Sequence, residues 1–249
     1  MKFIIEFKKI FIFKNILLIL FVIIIPWLFS VLIITNNSSV NISGEFDLFS
    51  FSFTIWEIMK ILLVVIIIPV YVTCCNIGRE ISNKSVLMYI TKVSNVYYYN
   101  VKILSNYLYS FIMVFCYLFS STIAFNVLLR NSNHFSNITI SNWVVFYTIL
   151  MMILEVLLYV TLAHLMSIRF NHLGGTFLTI VILILLRILK NVSYIKKYIP
   201  EEIGNFVRIM NIKEIDLLKD FYFNFLYILL LVILFYFMGF IYIKNKEFK

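Results

Sequence analysis

Charge is what this sequence has least of. Only 13% of its 249 residues are Asp, Glu, Lys or Arg, against 63% apolar and 18% aromatic, a balance that excludes a soluble globular domain of this size. Glycine and proline are also sparse, at six and three. No Gly-, Pro- or Ser-rich tract is long enough to join soluble domains, and there is neither an internal repeat nor a low-complexity segment, so residues 1–249 read as a single membrane domain. The three cysteines, adjacent Cys74 and Cys75 and isolated Cys116, form neither a disulfide framework nor metal-ligand spacing and read as small packing residues.

Two kinds of chemistry are missing as well. The Gly-x-x-x-x-Gly-Lys-Ser/Thr loop that cradles phosphates is absent, because Asn83-Lys84-Ser85 keeps the closing Lys-Ser without the glycines. The chain is therefore not expected to hydrolyse ATP or to be an enzyme, and no cofactor is expected in it. An intramembrane peptidase needs Glu-Glu-x-x-x-Arg, but Arg208 follows Glu202 by six positions, in a polar segment. His164 and His172 are eight apart and share a face only if helix continues through Gly174-Gly175, where the glycines argue for a turn.

What is present is hydrocarbon. Lys2 to Lys14 places Phe3, Ile4, Phe7, Ile10 and Phe11 on one side and Lys2, Glu6 and Lys9 on the other, the pattern of an interfacial elbow helix over residues 1–15. Six spans follow: Ile16 to Thr35, Ile55 to Ile77, Val101 to Leu128, Trp143 to Met166, Gly174 to Leu189 and Phe221 to Ile243. The first is longer than a signal-peptide core and no small-x-small cleavage site follows it, so it is expected to be retained. With both termini inside, the inner segments hold twelve Lys and Arg, the first outer loop holds none and the second holds only Arg130, which fits the inward bias of basic residues. The net charge of +9 then belongs to loops and lipid headgroups and does not imply nucleic acid. The segment 190–220, an outer loop in this topology, carries six bases among five acids. Its rival is a re-entrant Gly174 to Leu189, only 16 residues long, which would place that segment inside. Abundant Ile, Phe, Lys, Asn and Tyr suggests an A/T-biased bacterial genome, hence a bacterial plasma membrane.

Ionisable residues in a span are candidate sites because lipid penalises them. Glu57 and Lys60, three apart, can neutralise each other on one helical face, and Arg187 can snorkel outward. Glu155 lies near the middle of the fourth span with Thr148, Met152 and Tyr159 on its face, and Ser120, Ser121 or Thr122 of the third span are its expected hydrogen-bond partners. Glu57, Lys60, Glu155 and Tyr159 form the candidate translocation path. Pro26 and Pro69 interrupt the hydrogen-bond ladders of the first two spans.

The inner segment 79–100 is the most distinctive part. Glu80 is followed by Lys84-Ser85, the apolar run Val86 to Ile90 with Leu87, then Thr91, Ser94 and Lys102 at the next span. This order resembles that of ABC type-2 permeases, with Lys84 where that family usually has Gly and Asn95 where it often has Arg. The resemblance extends to the interfacial helix, the six spans and the long segment between the last two. It implies that Glu80, Lys84, Ser85, Leu87, Ile90, Ser94 and Lys102 belong to a coupling helix docked on a separate ABC ATPase, which is present in two copies and binds ATP and Mg. It further implies a second permease subunit, same or homologous, and export of a hydrophobic or amphipathic substrate. Small members include bacteriocin and lantibiotic immunity permeases and exporters of phenol-soluble modulins, so a peptide is the expected cargo. The alternative is a non-transporting membrane protein, such as a peptide-binding immunity factor or assembly scaffold, whose loop rests on the lipid with Tyr97, Tyr98 and Tyr99 as anchors.

Overall fold

A computed structural model describes residues 2–35, 46–83, 94–136 and 140–245. The protein is an all-α polytopic membrane protein, and among the described residues six helices are long and apolar enough to cross a membrane. The chain opens with α1 (Lys2–Ile10), which turns at Phe11 and Ile12 into α2 (Phe13–Thr35). Then come α3 (Leu48–Ile61), α4 (Val64–Ser82) and α5 (Asn95–Ala124), the last running on as a wider π-turn over Phe125–Leu129. After α6 (Asn142–Arg169) and α7 (His172–Leu189), three short helices, α8 (Ser193–Lys196), α9 (Pro200–Ile203) and α10 (Phe206–Met210), lead to the long α11 (Glu214–Asn245).

Local chemistry sets several of these boundaries. Asp47 accepts the Ser50 amide at 2.8 Å while the Ser50 hydroxyl accepts the Asp47 amide at 3.0 Å, a reciprocal box that starts α3. Ser94 caps α5 through the Tyr97 amide at 3.3 Å, and Asn171 caps α7 through the Gly174 amide at 2.7 Å. With Asn171 as cap, the two glycines fall inside the first turn of α7, so the expected turn at Gly174-Gly175 lies slightly earlier. Gly175 permits the tight α6–α7 hairpin, since a Cβ there would stand 2.9 Å from Ser167 Cα. Gly78 does the same between α4 and α7, where a Cβ would meet His172 Cα at 2.6 Å.

The second span expected as one helix, Ile55 to Ile77, is two. It breaks at Leu62 and Leu63, and Leu63 takes a left-handed backbone with φ 61°. Pro69 is not the break: it sits inside α4, where a proline removes only the bond to the carbonyl one turn earlier.

α6 is the spine of the molecule, packing on α4, α5, α7 and α11. Its first half joins Tyr147 and Met151 to Ile203, Ile209 and Ile228 in one buried cluster. A second cluster, with Val22, Phe51, Trp56, Tyr117 and Met152, holds α2, α3, α5 and α6 together. At about 1.5 Å per residue, the 18 residues of α7 reach ~27 Å and the 28 residues of α6 ~42 Å. The helices α9 and α10 occupy the difference, both against α6 and α10 also against α3.

Candidate functional site

The α3–α4 break lies beside a buried ionic cluster built from four elements. Lys60 is 1% exposed, and its ammonium stands 2.8 Å from Glu57 Oε1 and 3.4 Å from Glu155 Oε2. Glu155, also 1% exposed, accepts the Tyr159 hydroxyl one turn along α6. Glu57 further accepts the Phe206 amide at 3.3 Å and the Asn205 side-chain amide at 3.4 Å, which ties α10 to α3.

Arg187 completes the arrangement. Its Nη2 and Nη1 donate to the carbonyls of Lys60 at 2.6 Å and Ile61 at 3.0 Å. The Lys60 carbonyl also accepts the Leu63 amide at 2.9 Å, while Ile61 ends α3, where the last carbonyls have no partner within the helix and acyl chains offer none. A cation at a helix C-terminus also meets the negative end of the helix dipole. On its other side Arg187 is held by Glu201, with Nε 3.0 Å from Oε2 and Nη2 2.9 Å from Oε1.

The four residues of the candidate path, Glu57, Lys60, Glu155 and Tyr159, are thus brought together. Three expectations are corrected. Glu57 and Lys60 are not a self-contained local pair, because Lys60 also serves Glu155 across the bundle. Arg187 does not snorkel outward, since the open carbonyls of the break offer its guanidinium two acceptors within the protein. Glu155 is not bonded to Ser120, Ser121 or Thr122: Ser120 donates to Ile23 O at 2.6 Å, and Ser121 and Thr122 donate to Leu118 O at 2.9 and 2.8 Å. Ser121 and Thr122 are satisfied on a carbonyl of their own helix, and Ser120 on one of α2, so none of the three reaches Glu155.

A second ionic cluster closes the opposite end of α4. Lys102, fully buried, pairs with Glu6 and with Glu80 Oε1 at 2.7 Å, and donates to Asn76 Oδ1 at 3.1 Å. Tyr98 donates to Glu80 Oε2 at 2.9 Å, and Lys9 stands 2.8 Å from Glu6 and 3.8 Å from Glu80. Glu6 was expected on the polar side of an interfacial helix, but it is 4% exposed and faces α5. Burial pushes its carboxyl up, and Lys102 and Lys9 outweigh that push, so it ends below its ordinary value. Of the expected coupling residues, Glu80 and Lys102 therefore meet directly, and Ser94 caps α5. Lys84, Ser85, Leu87 and Ile90 lie outside the described residues. Tyr98 and Tyr99 are buried and only Tyr97 is exposed, so this stretch is no triple lipid anchor. Tyr99 packs edge-on against His164, with ring centroids 4.6 Å apart.

Sequence reasoning missed Arg187, Glu201 and Glu6 as members of these clusters. No family model matches the chain, and neither curated proteins nor solved structures give a match.

Proposed function

We propose that the protein is the membrane-spanning permease subunit of an ATP-driven ABC exporter. It would work with a second permease subunit, same or homologous, and two copies of a separate ATPase that binds ATP and Mg, and would move a hydrophobic or amphipathic substrate, a peptide by preference, outward. Its termini and the segment 79–100 face the cytoplasm of a bacterial cell in this reading, as the distribution of basic residues supports.

The observation that carries the proposal is the closure at the base of that segment. Glu80 stands at its start and Lys102 just beyond its end, and Lys102 pairs with both Glu80 and Glu6 in one buried cluster. A push on the segment is thereby delivered to α1, α4 and α5 together, which is what a coupling element requires. α4 in turn ends at the break, where Lys60, Glu155 and Arg187 hold the junction with α3.

Leu87→Asp is the test. It should abolish co-purification with the ATPase subunit and export of substrate while leaving the level of inserted permease unchanged. Glu80→Ala is less suitable, because it also removes a partner of buried Lys102. Normal ATPase binding and export by Leu87→Asp contradict the docking assignment.

A further inference from the structure

A cavity of about 180 Å³ lies between α6, α7 and α11, beneath the stretch Tyr198 to Glu201. Its depth is hydrocarbon, lined by Leu158, Leu162, Leu183, Leu231 and Phe235. Its mouth is different: Tyr198 and Tyr227 face each other with ring centroids 6.2 Å apart, and Glu201 stands beside them. An apolar cavity of about 150 Å³ stays dry and takes a benzene-sized guest, so this space suits a stretch of alkyl chain and not a whole amphiphile.

Access is from the lipid. α7 and α11 both pack on α6 but barely on each other, and their outward faces expose Ile184, Leu185, Leu230 and Leu234. The medium in contact with those faces in a spanning helix pair is bilayer acyl chain. At the mouth, residues 187–202 carry four bases, Arg187, Lys190, Lys196 and Lys197, against two acids, Glu201 and Glu202. Glu201 serves Arg187 and, at 4.0 Å, Lys190, while Glu202 takes Lys196 at 3.1 Å. Exposed Lys197 lies 4.9 Å from the centre of the Tyr198 ring. Tyrosine beside lysine is the side-chain pairing of the headgroup region, and a local excess of base favours anionic lipid.

We propose that this cavity is a binding site for an anionic phospholipid of the adjoining leaflet, with one acyl chain between α7 and α11 and the phosphate at Lys190 and Lys197. The site shares two groups with the break: Tyr159, which holds Glu155, and Glu201, which holds Arg187, both line the cavity. A bound chain therefore packs directly against side chains that order the α3–α4 junction.

The test uses the full chain in nanodiscs containing phosphatidylglycerol with a diazirine midway along one acyl chain. Sites of photolabelling are read by peptide mass spectrometry. Leu158 and Leu162 are 4% and 5% exposed, so a chain labels them only from within the cavity. Labelling there is expected in the native protein and is expected to fall about tenfold in Leu183→Trp and in Leu231→Trp, which fill the space from opposite walls, so that a folding defect in one leaves the other informative. Leu185→Trp, on the exposed face of α7, should leave it unchanged. Phosphatidylcholine with the same chains should label roughly tenfold less, and Lys190→Gln with Lys197→Gln should erase that difference. No label on α6, or a label that both filling variants leave intact, overturns the site. Equal labelling by the two lipids overturns the anionic assignment and leaves an acyl-chain site without headgroup selectivity.

Discussion

At the scale of single residues, the account turns on charges that cannot be removed one at a time. Lys60 and Glu155 are both sealed from solvent, and stripping one partner from a buried pair typically costs about 3–5 kcal/mol, because the other charge is left uncompensated. Lys60→Met should therefore lower thermal stability in detergent strongly, as followed by size-exclusion fluorescence. The double variant with Glu155→Gln should recover most of the loss. Glu155→Gln alone keeps the hydrogen bond from Tyr159 and leaves Lys60 its closer partner Glu57 at 2.8 Å, so a smaller stability loss than that of Lys60→Met together with lost export would assign the acid to transport and not to packing. Glu6 gives a pH signature. Its folded carboxyl stays ionised below the ordinary value of 4.5, so its stabilisation is complete above that value and disappears as pH falls through the lower folded one. Native protein should lose stability across that acid window, and Glu6→Gln, already without the ion pairs, should show a flatter profile in pH-dependent melting.

At the scale of elements, the break between α3 and α4 depends on Arg187 from α7. Arg187→Gln leaves the Ile61 carbonyl short of a partner and the Lys60 carbonyl with only the Leu63 amide, and one to two lost charge-assisted bonds predict a destabilisation of about 2–4 kcal/mol, read from the same melting curves. Gly78→Leu places bulk where His172 backbone already stands, so it should separate α4 from α7 and cost about 1–3 kcal/mol. These elements also mark what the sequence could reveal. The six apolar runs were legible because lipid demands length and hydropathy, and both survive without any knowledge of neighbours. The split of the second span was not, since Pro69 drew attention to the wrong place and nothing about Leu62-Leu63 announces a left-handed turn. That turn is held by Arg187, more than a hundred positions away in the chain. Glu57, Lys60, Glu155 and Tyr159 could be named as a group by rarity alone, because any ionisable residue in a span is conspicuous. Arg187 with Glu201, and Glu6 with Lys102, could not be paired, because charges near helix ends are common and their partners are decided by packing.

At the scale of the whole molecule, two ionic clusters at different heights of α4 join the inner segment to the middle of the bundle. In the proposed orientation, single cysteines at Lys197 and at Lys213 in a Cys-free background should react with an impermeant thiol reagent in intact cells. Labelling only after lysis would place α8 to α10 on the inner side and favour the re-entrant topology. The central claim is that this bundle is driven by a separate ATPase through the segment between Glu80 and Lys102. Its most direct measurement is ATP hydrolysis by affinity-purified native complex, with the subunits identified and quantified by mass spectrometry. The account predicts a Walker-type ATPase at one copy per permease subunit, with activity and ratio both lost in Leu87→Asp at unchanged permease yield. Intact permease recovered without any such subunit, or an ATPase retained in full by Leu87→Asp, would contradict it.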